Sequence, residues 1–174
     1  MIRHQTVLLR KLRGLIAIFV TAGALSVPAV AQTDFTFTTP DGGSVTLSSM
    51  RGNVVVLVFA STQDPQCREE FKALESLAQR YREKPVKIYW VSVDGPAITN
   101  DRLKNPCGTT GSVNVIRDQN RVAFKRFSSK VAQLPTIVVL DQQGQTRRPA
   151  RGGFNPDSDF VNDTASLIDG ALLQ

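Results

Sequence analysis

The side chains best placed to do chemistry in this chain of 174 residues are two thiols, Cys67 and Cys107, and a carboxylate three residues before the first, Asp64. The one histidine, His4, lies close to the N-terminus. Without a second His the chain has no Ser-His-Asp or Cys-His catalysis, and no zinc or copper site of ordinary composition. A haem held by His is excluded on the same ground. No Gly-rich phosphate loop of the Walker or dinucleotide-binding form is present. Thiol or carboxylate chemistry is left, with no cofactor and no metal expected. The segment Asp64-Pro65-Gln66-Cys67 follows a long apolar run and precedes a helical pattern, so Cys67 is expected at about the third position of a helix. There, unpaired backbone amides favour thiolate over thiol, while the acidic Asp64 opposes them. The two effects have opposite signs, and the direction of any shift at Cys67 stays open.

The formal charge of +6 does not describe the folded part of the chain. Four of the 21 basic residues, Arg3, Arg10, Lys11 and Arg13, fall in the first thirteen, and no acidic residue precedes Asp34. Without those four, 17 basic residues face 15 acidic ones, a balance of +2 that gives no footprint for a phosphate backbone. Nucleic acid is therefore not an expected partner.

Residues 1–31 read as a secretory signal peptide: a basic start, an apolar core from Leu15 through Val27, Pro28, and Ala29-Val30-Ala31 as a small-x-small cleavage site before Gln32. The apolar run is about 13 residues, short of the roughly 20 that span a bilayer. A cleaved, exported product with no stable membrane insertion is expected, in a periplasmic or other extracytoplasmic space. Such a compartment allows a disulfide to persist. Residues 32–174 then form a single domain, since no linker, repeat or low-complexity stretch divides them.

Several elements must position Cys67 and Cys107. Phe35, Phe37, Val45 and Leu47 alternate with polar residues around Pro40-Asp41-Gly42-Gly43, which predicts an N-terminal β-hairpin. Val54 to Ala60 is uninterruptedly apolar and predicts a strand buried on both faces. Asp64 is the expected N-cap of the next helix and Pro65 its first residue, with Phe71, Leu74, Leu77, Ala78 and Tyr81 on its apolar face. A strand over Val86 to Val93 follows, then a short helix near Asn100 to Lys104 that ends at Asn105-Pro106-Cys107-Gly108. Val113 to Ile116 predicts a short strand, and Asn120 to Phe127 a helix with Val122, Ala123 and Phe127 inward. Thr136 to Leu140 is a third apolar strand, closed by the turn Asp141–Gly144 and a polar return strand, with Arg147, Arg148 and Arg151 on a solvated edge. A last helix from Pro156, capped by Asn155, presents Phe160, Val161, Thr164, Leu167, Ile168 and Ala171 on one side. Alternating strands and helices of this kind make a three-layer α/β sandwich with a central mixed sheet.

The run Gly52-Asn53 into Val54–Ser61, then Pro65-Gln66-Cys67-Arg68-Glu69-Glu70-Phe71, and later Leu134-Pro135-Thr136, resembles the exported thioredoxin-like proteins of the TlpA and redoxin type, related to AhpC/TSA proteins. The resemblance runs from about Phe35 to Leu173 and implies a thioredoxin-like fold. It also implies a cis-proline at Pro135 beside the cysteines, with Leu134 and Pro135 on a groove for an extended substrate. Proteins of this type carry a Cys-x-x-Cys pair. Matched on Arg68-Glu69-Glu70-Phe71, Cys67 takes the place of the second, less exposed cysteine and Asp64 that of the first, nucleophilic one. One residue more than usual separates Ser61 from the motif, and no Trp precedes it.

Three functions remain. The leading one is thiol-disulfide chemistry at Cys67, with Cys107 as a possible resolving partner and a protein or peptide thiol or disulfide as the other reactant. A second is a redox-inert module that holds an extended peptide beside Pro135. The third is a peroxiredoxin-like thiol peroxidase, whose peroxide-facing Thr or Ser is here replaced by Asp64. Parity, compartment and placement after strands of one sheet predict a disulfide between Cys67 and Cys107, provided that the Cα atoms come within about 7 Å. The oligomeric state is not legible.

Overall fold

The apolar run at 54–60 lies inside the sheet, as its composition requires, and all seven of its residues are buried. The computed structural model describes residues 34–128, 133–146, 148–155 and 159–173. In chain order the strands are β1 (Thr36–Thr38), β2 (Ser44–Thr46), β3 (Val54–Ala60), β4 (Val86–Ser92), β5 (Asn114–Arg117), β6 (Thr136–Leu140) and β7 (Arg151–Gly152). The helices are α1 (Cys67–Arg80), α2 (Asn100–Lys104), α3 (Val122–Phe127) and α4 (Phe160–Leu172).

One mixed sheet runs in the order β2-β1-β5-β4-β3-β6-β7. β3, β4 and β5 are parallel, and β6 runs antiparallel to β3. The N-terminal hairpin forms with Phe37 opposite Val45, and β1 then closes onto β5. Alternate residues of β3 feed two cores. Val54, Val56, Val58 and Ala60 pack with Cys67, Phe71, Leu74 and Leu77 of α1, Trp90 of β4, and Phe160 and Ile168 of α4. Val55, Leu57 and Phe59 face the other way, onto Phe35, Phe37, Met50 and Ala123. The result is the expected thioredoxin-like three-layer sandwich. Its parallel central strands point their carboxyl ends at one edge, where α/β sheets place their working loops.

The structure moves several boundaries. Helix α1 begins at Cys67, with Gln66 rather than Asp64 at the capping position and no side chain capping it. Asp64, Pro65 and Gln66 form a β-turn instead: the Cys67 amide donates to the Asp64 carbonyl at 3.1 Å, and Gln66 has φ −93° and ψ 4°. These are the angles of the third residue in a type I turn, with Pro at its preferred second place. Cys67 is therefore the first helical residue, not the third. Residues 119–121 are a 3-10 turn in which Asn120 and Arg121 have φ of 59° and 57°, so α3 starts only at Val122. Asp118 accepts the Ala123 and Phe124 amides, and this fixes the later start.

Val122 is 56% exposed rather than inward, while Ala123 is buried and Phe127 half-buried, as expected. The described part of the last helix begins at Phe160, with Asp159 at its cap position and the Asp163 amide donating to the Asp159 carbonyl. The expected start at Pro156 lies outside the described residues, as do residues 1–31 and Arg147. The return strand is short: Thr146 bridges Leu140, and Arg151 lies in β7 with its guanidinium paired to Asp163. Among the described residues, no helix is long and apolar enough to cross a membrane.

Candidate functional site

Cys67 and Cys107 form a disulfide, with Cα atoms 5.4 Å apart and a sequence separation of 40. Two elements bring them together. Strand β3 ends at Ala60, and the loop 61–66 delivers Cys67 to the start of α1. Asp94, just past the end of β4, holds that loop: its carboxylate accepts the Ser61 hydroxyl, the Thr62 amide at 3.0 Å and the Ser92 hydroxyl at 3.0 Å. Three donors on one carboxylate tie the β3 loop to the neighbouring strand.

Cys107 comes from the other side, on the 3-10 turn Pro106–Gly108 between β4 and β5. Cys107 and Gly108 are both in the left-handed region, with φ of 59° and 65°. Gly suits such a position and Cys rarely adopts it. Downstream, Glu75 of α1 accepts the Val113 amide at 2.6 Å and the Ser112 hydroxyl at 2.9 Å, which clamps the segment after Cys107 to the helix that starts at Cys67. A Cβ on Gly111 would run into the Glu75 carboxylate, so any side chain there would have to push that group aside. Arg68 lies over the same turn, its Nη2 3.5 Å from the place a Cβ on Gly108 would take.

The buried face of α1 carries one acid close in sequence to Cys67. Glu70 stands one helical turn after Cys67 and is 1% exposed. Among the described residues its Oε1 has no partner at hydrogen-bond geometry, nor does the indole Nε1 of Trp90, a strand residue in the same core. Burial pushes the Glu70 pKa up to about 8, the negative charge of Asp64 adds to the rise, and the Trp90 indole pulls weakly the other way. At neutral pH this carboxyl carries a proton. The signal that could have found it is positional: residues 67, 70, 71, 74 and 77 share one helix face, and all five are buried.

The remaining site residues are placed as follows. Asp64 is half-buried on the turn before Cys67, and its Oδ1 accepts the Gln66 amide at 2.8 Å. The Leu134–Pro135 peptide bond is cis. Because Thr136 pairs with Phe59, Pro135 sits at the end of β3 from which the Cys67 loop departs. Pro135 is buried and its carbonyl accepts the Gly153 amide at 2.8 Å; Leu134 is half-buried against the second core.

A helix-start cysteine at the end of the central strand, a cis-proline on the adjacent antiparallel strand and a buried acid one turn below define a thioredoxin-like domain with a disulfide at its working edge. Residues 28–148 match the AhpC/TSA family, to which the chain belongs. It is 28% identical over 127 residues to the thiol-disulfide oxidoreductase ResA of Oceanobacillus iheyensis, covering 72% of this chain and 64% of that protein. To ResA of Halalkalibacterium halodurans it is 26% identical over 114 residues, 66% of this chain and 62% of the relative. The chain thus spans a little under two thirds of the length of these curated relatives. A DsbE-type thiol:disulfide interchange protein of Chlorobium tepidum shares the fold, with a TM-score of 0.67 and 24% identity over 80% of this chain and 94% of that one.

Proposed function

We propose that this protein is an extracytoplasmic thiol-disulfide oxidoreductase whose redox couple is Cys67 and Cys107, exchanging electrons with protein thiols. The observation that carries the reading is the disulfide itself, formed between the start of α1 and the turn at 106–108. A redox-inert binding module predicts two buried free thiols in its place. Similarity to the ResA relatives supports the same chemistry, and the signal-like residues 1–31 support export.

In the exchange, a partner dithiol gives up two electrons and two protons and becomes a disulfide, while the Cys67–Cys107 bond opens to two thiols. The first step is displacement of one protein sulfur by a partner thiolate. A sulfur released in the interior as an anion is costly to desolvate, and Glu70, protonated at neutral pH, stands one helical turn from Cys67 as the donor that neutralises it. In the reverse direction the same carboxylate takes the proton back. Asp94 and Glu75 act through position, holding the Cys67 loop and the segment after Cys107.

Equilibration of the protein with graded ratios of reduced to oxidised dithiothreitol, followed by alkylation and mass measurement, tests the reading. One transition from no alkylated thiols to two is expected. A disulfide that stays closed at full reducing power, with the protein folded, refutes it. Faster turnover with hydrogen peroxide than with a protein disulfide would assign a thiol peroxidase instead. For export, the N-terminal peptide of the processed protein is expected to begin at Gln32, and a retained Met1 overturns that.

A further inference from the structure

The two sulfurs are not equivalent in access. Cys67 is 3% exposed and packs among Ala60, Phe71 and Trp90, whereas Cys107 is half-buried on a surface turn. A thiolate attacking a disulfide must reach the sulfur it will bond, and access decides which sulfur that is. At Cys67 the approach is filled by core side chains. At Cys107 it passes the turn Pro106–Gly108, with the guanidinium of Arg68 against Gly108, a positive charge that favours an incoming thiolate and a Cys107 thiolate alike.

Given the exchange activity proposed above, we infer that Cys107 is the sulfur at which partner thiols enter and leave, and that Cys67 is the internal, resolving sulfur. This inverts the order suggested by the helix-start position of Cys67. In the forward step a partner thiolate bonds Cys107 Sγ, the Cys67–Cys107 bond breaks, and Cys67 departs with the electron pair and is protonated. The partner's second thiol, as thiolate, then attacks the partner sulfur of the mixed disulfide, and Cys107 leaves as thiolate. Two electrons pass from partner to protein. In the reverse direction the Cys107 thiolate attacks a partner disulfide and Cys67 releases the product. Chain position 107 thus does the work that position 64 does in a Cys-x-x-Cys protein. The partner must present its sulfur to the turn at 106–108, on the α1 side of the sheet.

The test uses the oxidised full chain mixed with excess reduced glutathione, quenched with acid at short times and mapped by peptide mass. Glutathione is expected on Cys107 in at least tenfold excess over Cys67. An equal distribution, or an excess on Cys67, overturns the inference and leaves the exchange activity standing. A second measurement compares reduced Cys67→Ser and Cys107→Ser with oxidised glutathione. Mixed-disulfide formation is expected at least tenfold faster in Cys67→Ser, and the opposite order overturns the inference. Should either variant fail to fold, the mapping on the unmodified protein decides. A wild-type disulfide that neither glutathione nor dithiothreitol opens removes the exchange activity itself, and this assignment with it.

Discussion

The Glu75 carboxylate accepts the Val113 amide at 2.6 Å, and through this bond the helix that begins with Cys67 also anchors the segment that follows Cys107. The Ser112 hydroxyl bonds the other oxygen of the same group. Burial acts to raise the Glu75 pKa, but the donors at Ser112 and Val113 outweigh it and hold the carboxyl below its usual range. Both cysteines thus hang from one helix, which keeps their Cα atoms 5.4 Å apart.

Cutting this clamp should weaken the disulfide before it weakens the fold. In Glu75→Ala the Val113 amide loses its acceptor, at a cost of about 1 to 3 kcal/mol for a buried group and less where water can reach it. The part of that energy spent on keeping Cys107 near Cys67 appears as a less stable disulfide, and about 1 kcal/mol corresponds to a rise of roughly 20 mV in reduction potential. Gly111→Ala should act in the same direction, because its methyl group would displace the Glu75 carboxylate. Equilibration with glutathione buffers measures the shift. Unchanged potentials in both variants would show that Glu75 does not position Cys107.

The buried carboxyl of Glu70 makes stability depend on pH. An exposed Glu ionises near 4.5 and Glu70 in the fold at about 8, so between these values the unfolded chain has released a proton that the folded one keeps. The stabilisation is complete below about pH 4.5 and is lost as pH rises through 8. The full span is on the order of 4 to 5 kcal/mol. Guanidinium midpoints of the oxidised protein should fall from pH 5 through pH 7 to pH 9, and Glu70→Gln should flatten that decline. A wild-type midpoint independent of pH over this range, or an equal decline in the variant, would show that Glu70 ionises normally.

Glu70 and Asp64 also show where the sequence is legible and where it is not. Seven apolar residues in a row admit one place for β3, the hairpin could be read from local alternation and the disulfide from parity, compartment and placement, while the cis-proline followed only from the family resemblance. The start of α1 could not. Asp-Pro is a good N-cap followed by a good first helical residue, and it is equally good as the first half of a type I turn. Only the tertiary position of Cys67 decides between the two. Glu70 was hidden by its charge: an acid in a helix's first turn is usually solvated, and recognising a buried one means giving helical phase more weight than residue type. Asp94 carries no sequence signal, because its three donors come from two different strand ends.

Closing a 40-residue loop restricts the unfolded chain, and the loop-entropy relation puts the stabilisation by the Cys67–Cys107 bond at about 4 kcal/mol. Urea unfolding with and without dithiothreitol should differ by roughly that amount. With a typical stability of about 5 to 15 kcal/mol, the reduced domain should remain folded. Equal stability of the two forms would show that the reduced, unfolded chain already keeps the two segments close.

The last expectation concerns the place of the missing family cysteine. Asp64 begins the turn whose carbonyl accepts the Cys67 amide, so a thiol at position 64 would stand one β-turn from Cys67, the spacing of a Cys-x-x-Cys pair. In the unmodified protein Cys67 is already joined to Cys107, and an introduced thiol would compete for it. The clean comparison is therefore Asp64→Cys with Cys107→Ser against Cys107→Ser alone. The substitution removes the hydrogen bond from the Gln66 amide to Asp64 Oδ1, a cost of about 1 kcal/mol. It also removes the negative charge that helps raise the Glu70 pKa, so with the new thiol protonated or disulfide-bonded Glu70 should ionise at a lower pH. The new thiol, close to the amides at the start of α1, should gain thiolate character. Insulin reduction driven by dithiothreitol is expected to rise at least about tenfold over Cys107→Ser, equivalent to about 1.4 kcal/mol of barrier. A folded double variant with no gain would mean that position 64 does not face the site where the partner disulfide is presented.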